Sequence, residues 1–258
     1  MDAADLIIPD WPALPANIGA LATTRAGGVS GGPYGDGRGG GGLNLGLHVG
    51  DAPEAVQANR ARLQALLPGR PAWISQVHGN GVVDAATVGV DQPVRVGDAS
   101  TAVQPGVVCA ILTADCLPVL FADLDGRVVG AAHAGWRGLA GGVLGATVRA
   151  MRAAGAGEIT AWMGPAIGPM AFEVGQDVYD CFAQALPGVD IGFAFRRHPE
   201  LGSKYLADMF ALARAMLERD GVANIAGGIH CTATERDRFY SYRRDGVTGR
   251  QASLIWLK

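Results

Sequence analysis

"TADCLPVLFADLDGRVVGAAHAGWRG", residues 113–138, is two apolar runs joined by the turn Asp123-Leu124-Asp125-Gly126. A thiol, Cys116, interrupts the first run and an imidazole, His133, the second. Taking Asp125-Gly126 as the two-residue tip of a hairpin sets the register. Leu124 then faces Arg127 and, further along, Pro118 faces His133. Side chains alternate along a strand, so Cys116 lies on the face of Pro118, diagonal to His133. Diagonal β-carbons stand about 7–8 Å apart, wide for a hydrogen bond and suited to a bridging cation. Pro118 donates nothing to the ladder, and the strand is expected to loosen there.

A third ligand candidate is His78 in "SQVHGN", closing a β-like segment over 72–78, with Gly79 allowing close backbone approach. One Cys and two His make a catalytic-type zinc site with its fourth position open to water or substrate. These residues lie 38 and 17 positions apart with no compact motif. On spacing alone, a packed Cys and two hydrogen-bonded His remain the stronger reading.

The remaining elements place this hairpin in a mixed fold. Strands are expected at 18–24, 106–114, 118–123, 127–134 and 158–164, with late strands in "NIAGGIHC" and "QASLIWL". A helix is expected over 51–69, with Asp51 as N-cap, Glu54 three residues on, and Val56, Leu63 and Leu67 on one face. Further helices are expected over 139–154, 174–186 and 205–219. Without regular βαβ alternation, this favours an α+β fold. GxGxxG occurs only inside the glycine run 35–42, which opens no expected helix, and GxxxxGK[ST] does not occur, so Rossmann and P-loop readings fail.

The chain has 258 residues, 49% of them hydrophobic, ample for a core. Its formal net charge is −3, without a basic block, which disfavours nucleic acid and anionic membrane as partners. No stretch reaches the roughly 18–20 apolar residues of a membrane span, and the acidic start is not a secretory signal. Four cysteines without a CxxC point to a reduced, cytoplasmic protein. Glycine is concentrated in residues 27–46, "GGVSGGPYGDGRGGGGLNLG", expected to be a long surface loop near a site.

Polar groups around the trio suit an anionic or polar substrate. Arg137 lies in Gly135-Trp136-Arg137-Gly138, ahead of a helix whose amides favour anions. Arg25 begins the glycine loop, Asn44 and His48 follow it, and these four are the candidate substrate-binding residues. Asp115, beside Cys116, is a candidate proton carrier or orienting group. Each has a plain alternative: exposed arginines, a surface ion pair, a turn aspartate, a capping imidazole. His198 reads as solvated surface and His230 as core.

The blocks "TTRAGGVS…GPY…LNLGLHVGD", "QVHG", "LTADCLPVLFAD", "AAHAGWRG", "MGPAIGP…FEVG" and "FYSYRRDGVTGRQASLIWL" together resemble the YfiH-type laccase-domain family. The match runs in the family's order from about residue 20 to the C-terminus. The resemblance implies one laccase-type domain over residues 1–258, with mixed sheets flanked by helices. It also implies zinc held by His78, Cys116 and His133. It further implies phosphorolysis of adenosine, guanosine, inosine and methylthioadenosine, and deamination of adenosine. The expected partners are thus purine nucleosides and phosphate, acting on a monomer or small homo-oligomer. One departure stands out: "GDGRGGGG" (35–42) occupies a place where the family usually has about two residues, and it is expected to be a mobile rim insertion.

The family's older label is multicopper polyphenol oxidase. Five histidines without an HxH pair hold one metal, not the four coppers of such enzymes. Copper-dependent oxidation at the single site is the alternative, because copper(II) outcompetes zinc at most nitrogen sites.

Overall fold

The computed structural model describes residues 5–89 and 93–258. A five-stranded sheet runs in the order β1 (Leu6–Ile7), β2 (Ile18–Thr23), β14 (Gln251–Leu257), β6 (Val108–Thr113) and β3 (Pro71–Ala72). A six-stranded sheet runs β13 (Asn224–Gly227), β9 (Ile159–Met163), β7 (Leu117–Asp123), β8 (Val129–Ala134), β5 (Ala99–Ala102) and β4 (Val82–Asp84). A small third sheet joins β10 (Glu173–Val174), β12 (Tyr205–Ala207) and β11 (Phe195–Arg197). Both large sheets mix parallel and antiparallel pairs. The helices are α1 (Pro53–Gln64), α2 (Trp136–Ala140), α3 (Val143–Ala153), α4 (Gln176–Ala185), α5 (Met209–Arg219) and α6 (Tyr242–Asp245). This is a single α+β domain with mixed sheets flanked by helices.

The apolar runs of β6 and β7 follow from burial on both faces. Leu117, Val119 and Phe121 point from β7 into the core beneath α3, α4 and α5. Leu120 and Ala122 point the other way, meeting Cys109 and Ile111 of β6 between the two sheets. The opposite face of β6, Val108, Ala110 and Leu112, packs on Leu43, Leu45 and Leu63. The loop joining β6 to β7 carries Cys116.

The hairpin register is as the turn requires, with Pro118 opposite His133. The expected loosening at Pro118 does not occur. The His133 N–H turns away from β7 and donates to the Asp98 carbonyl at 2.6 Å, so Pro118 sits in a non-hydrogen-bonded pair. Its missing donor faces β9, whose paired residues end at Met163, and the Pro118 carbonyl still accepts from Gly164 N–H. The ring is therefore free of cost to the ladder.

Several expectations need correction. α1 begins at Pro53 after Ala52, which gives no side-chain cap, and it ends at Gln64. Asp51 instead accepts from Ser30 Oγ and Asn44 Nδ2, tying the glycine segment to the helix start. The helix expected over 139–154 is two helices, because Gly142 takes φ 82° and breaks it. Residues 205–207 are strand, and α5 starts at Met209, capped by Asp208, whose carboxylate accepts from Ala211 N–H. Of the 72–78 segment only Ala72 is in a strand; the chain then runs irregularly to His78.

The glycine segment is also more structured than composition suggested. Tyr34, Leu43 and Leu45 are buried, and Gly35 and Tyr34 carbonyls accept from Arg25 and the Tyr240 hydroxyl. A β-carbon on Gly42 would strike the Tyr34 carbonyl and the Tyr240 hydroxyl. We expect Gly42→Ala to destabilise the protein by about 1–3 kcal/mol through overpacking, measured by denaturant unfolding, with metal content unchanged.

Candidate metal centre

His78, Cys116 and His133 converge, their ligand atoms all within 4.8 Å of one another. Cys116 Sγ lies 3.7 Å from His78 Nε2, and the two imidazoles meet edge to face with centroids 4.8 Å apart. A tetrahedral zinc with Zn–S about 2.3 Å and Zn–N about 2.0 Å sets its ligands about 3.5 Å apart, so a small contraction closes the site. Burial grades across the trio: His133 is buried, Cys116 half-buried and His78 exposed. The open side faces a cleft of about 760 Å³.

Backbone strain is concentrated here. Among the described residues, His78 (φ 61°) and Asp115 (φ 94°) are the two non-glycine residues with positive φ. Such conformations cost about 1–3 kcal/mol each and persist where surroundings over-determine them. Asp98 supplies that constraint for His78. Its Oδ1 accepts from His78 N–H at 2.8 Å, and its Oδ2 accepts from Gly79 N–H at 2.7 Å and Val77 N–H at 3.2 Å. At Asp115 the carboxylate accepts from Thr232 Oγ and Arg243 N–H, both at 2.6 Å. Glycine completes the fit: a β-carbon on Gly135 would press on His78 Cδ2 and Cys116 Sγ.

The fully buried Asp98 also meets His133 Nδ1 at 2.8 Å. That bond holds the imidazole proton on Nδ1 and turns Nε2 toward the ligand cluster, as metal-binding histidines require. Burial alone would raise the Asp98 pKa; hydrogen bonds from His133 and the Gly79 and Val77 amides outweigh it and lower it. For Cys116, burial likewise opposes ionisation, but hydrogen bonds from His133 and His78 prevail and bring the thiol to about 6. His133 is held protonated to about 9: burial lowers its pKa, and Asp98 and Cys116 raise it further. In the metal-free protein a thiolate therefore faces an imidazolium. Because the thiolate is the nucleophile, Cys116 alkylation by iodoacetamide should rise with pH through a midpoint near 6 in metal-stripped protein. Metal bound at the sulfur should block it, as peptide mass spectrometry would show.

The other sequence candidates are dispersed. His48 lines the same cleft as the trio. Asn44 is buried and engaged with Gly46, Asp51 and the Arg250 N–H, a structural role. Arg25 donates to the Gly35 and Arg236 carbonyls and lines a different cleft with Gly37 and Arg244. The glycine insertion rims that second cleft, not the one holding the trio. Arg137 stacks on Trp136 at 4.3 Å and lines a shallow groove with Cys181. The Asp115 carboxylate is spent on the turn. His198 accepts from the Glu200 and Leu201 amides, and half-buried His230 pairs with Glu235.

Sequence reasoning missed Asp98, Arg60, Arg250, Trp73 and Thr113. The last four line the trio's cleft. No local signal marks Asp98, because its carboxylate's partners are the amides of residues 77–79 and His133, all distant in sequence.

Residues 19–258 match the family model described as multi-copper polyphenol oxidoreductase laccase. The chain belongs to this family. A Pseudomonas aeruginosa relative named purine nucleoside phosphorylase PA4543 is 50% identical over 98% of both chains. The Escherichia coli protein named purine nucleoside phosphorylase YfiH is 49% identical, again over 98% of each. The crystal structure of Neisseria meningitidis NMB0706 superposes with a TM-score of 0.89 at 49% identity, covering 98% of this chain and 99% of that one. Within the family's fold, the described residues contain one group of three potential metal ligands, His78, Cys116 and His133. No helix among them is long and apolar enough to cross a membrane.

Proposed function

We propose that this protein is a zinc-dependent purine nucleoside phosphorylase, cleaving adenosine, guanosine, inosine and methylthioadenosine with phosphate, and that it also deaminates adenosine. The observation that carries this reading is the open-sided His78–Cys116–His133 trio on the wall of a cleft large enough for a nucleoside. The relatives named as phosphorylases supply the reaction class.

A zinc ion held there supplies Lewis acidity and activation of water near neutral pH. The chain's own residues do the rest. Trp73, Ile74 and Leu112 give the cleft an apolar wall on which a purine stacks and from which water is excluded. In phosphorolysis the C1′–N9 bond breaks and a phosphate oxygen bonds C1′, while the departing base takes up a proton. His78, Cys116 and His133 would hold the ion on the wall beside the place where that charge develops. Asp98 keeps His133 in one tautomer throughout.

Copper-dependent phenol oxidation is the second reading, favoured by the family's description. It meets a shortage of ligands, since one three-residue group holds one ion. Protein purified without added metal should contain zinc and, in phosphate buffer, convert adenosine to adenine and ribose 1-phosphate, with some inosine. Copper content with oxidised phenol and no adenine would replace the first reading by the second.

A further inference from the structure

Arg60 and Arg250 both line the trio's cleft, and both residues are hydrogen-bonded to the Leu45 backbone. The Leu45 carbonyl accepts from Arg60 Nε at 2.9 Å, and the Leu45 N–H donates to the Arg250 carbonyl at 3.1 Å. Arg60 also lies over the Trp73 ring at 4.4 Å, which fixes its plane. Arg250 Nη1 donates to the Thr248 and Gly249 carbonyls, which fixes its end of the side chain. Each guanidinium is thus held by one edge. The other N–H groups, both Nη of Arg60 and the Nε and Nη2 of Arg250, have no hydrogen-bond partner among the described residues.

Neither arginine belongs to an ion pair among the described residues, although both are partly buried. Two other arginines near the clefts are neutralised, Arg244 bidentate to Asp245 and Arg238 paired with Glu235, whereas buried Arg25 spends its guanidinium on the Gly35 and Arg236 carbonyls. His48, on the same wall, is kept toward its neutral form by burial and by the two arginines. Burial lowers Arg60 to about 10, so it stays cationic at neutral pH. Against the effect of burial, Cys116 and Asp115 favour the charged form of Arg250 without pairing with it, and two restrained cations facing one cleft with no carboxylate bonded to either suit an anion that joins them. A second polar group also waits there, since the buried Thr113 hydroxyl on this wall has no hydrogen-bond partner.

The geometry points to an oxyanion site between Arg60 and Arg250, with His48 beside it, that binds the inorganic phosphate co-substrate next to the metal trio. This rests on the phosphorylase reading above, and it places phosphate away from the candidate substrate-binding residues Arg137 and Arg25, which line other clefts. The planar forks suit a tetrahedral dianion, which can take two donors from each arginine. Phosphate on the arginines and a nucleoside on the apolar wall would then share one cleft with the metal trio.

The test compares metal-loaded wild type with Arg60→Gln, Arg250→Gln and the charge-keeping Arg60→Lys. Two quantities are measured: the phosphate dependence of the melting temperature, and separate KM values for phosphate and nucleoside. Phosphate should raise the wild-type melting temperature by linkage, and either Gln variant should largely abolish that rise. Either should also raise KM for phosphate at least about tenfold, leaving nucleoside KM within about twofold. Arg60→Lys should show an intermediate loss, because it keeps the charge without the fork; it carries the test if Arg60→Gln does not fold. Equal phosphate stabilisation of wild type and variants would overturn the proposal, placing the anion elsewhere. So would a rise in nucleoside KM alone, which would make the arginines nucleoside contacts. Phosphate stabilisation lost in the variants of a protein that phosphorolyses nothing would uphold the anion site and remove the phosphorylase reading.

Discussion

A Cys116→Ala, His133→Ala double variant should carry no metal above background after gel filtration, against about one ion per chain in the parent. Adenosine turnover should fall below detection with it. Ligation at this site is cooperative in a simple sense: three donors converge from three segments, and the two removed are the inner ones. The remaining ligand, His78, is exposed, and a single imidazole on a surface does not retain zinc through chromatography. The apolar packing should survive, because Cys116 lies outside the strands and His133 sits at the end of β8 rather than in its middle. Far-UV circular dichroism should therefore match the parent. Elemental analysis showing zinc still bound would mean that the trio is not the metal site, whatever the activity.

How much of this was legible beforehand depends on the range of the interaction. The hairpin was readable because its determinants are local. Asp125-Gly126 fixes the turn, strand alternation fixes the faces, and the observed Pro118–His133 pairing follows. His78 lies near them only through a strained loop whose geometry no local propensity encodes, so spacing left the trio undecided, and it was the family resemblance that named it. Asp98 was invisible for the same reason: its four partners lie up to 35 residues away and include three backbone amides. For Arg137, helix-start reasoning identifies an anion-friendly element but not the face it presents. The five-residue α2 turns Arg137 toward α4 rather than the cleft. Arg60 carries no signal of its own in the helix pattern, and it is its contacts with Trp73 and Leu45 that fix it in the cleft. The glycine segment was misjudged by composition, since Tyr34, Leu43 and Leu45 anchor what its glycines appeared to leave loose.

Asp98→Asn tests the arrangement behind the ligands. The carboxylate accepts four hydrogen bonds and donates none: Oδ1 serves His78 N–H and His133 Nδ1, and Oδ2 serves Val77 and Gly79 N–H. An amide cannot satisfy that set in either orientation. With its NH2 toward His133, it favours the tautomer protonated on Nε2, which removes the lone pair that faces the cluster, and it opposes the His78 N–H. With its NH2 toward the loop, it opposes two backbone amides and releases the constraint that holds His78 at φ 61°. Each orphaned buried donor costs about 1–3 kcal/mol, so some loss of stability is expected by either route. The decisive quantity is different. Metal affinity, measured by competition with a chromogenic chelator, should fall about 10–100-fold, because the lost partner orients a ligand. Gly42→Ala is the control, lowering stability through packing at the Tyr34–Tyr240 contact while leaving affinity alone. If Asp98→Asn lowered the melting temperature as Gly42→Ala does and kept parental affinity, Asp98 would be a loop brace and no more. A drop in affinity out of proportion to the drop in stability would show that a buried carboxylate with four acceptor contacts sets the metal-binding form of His133.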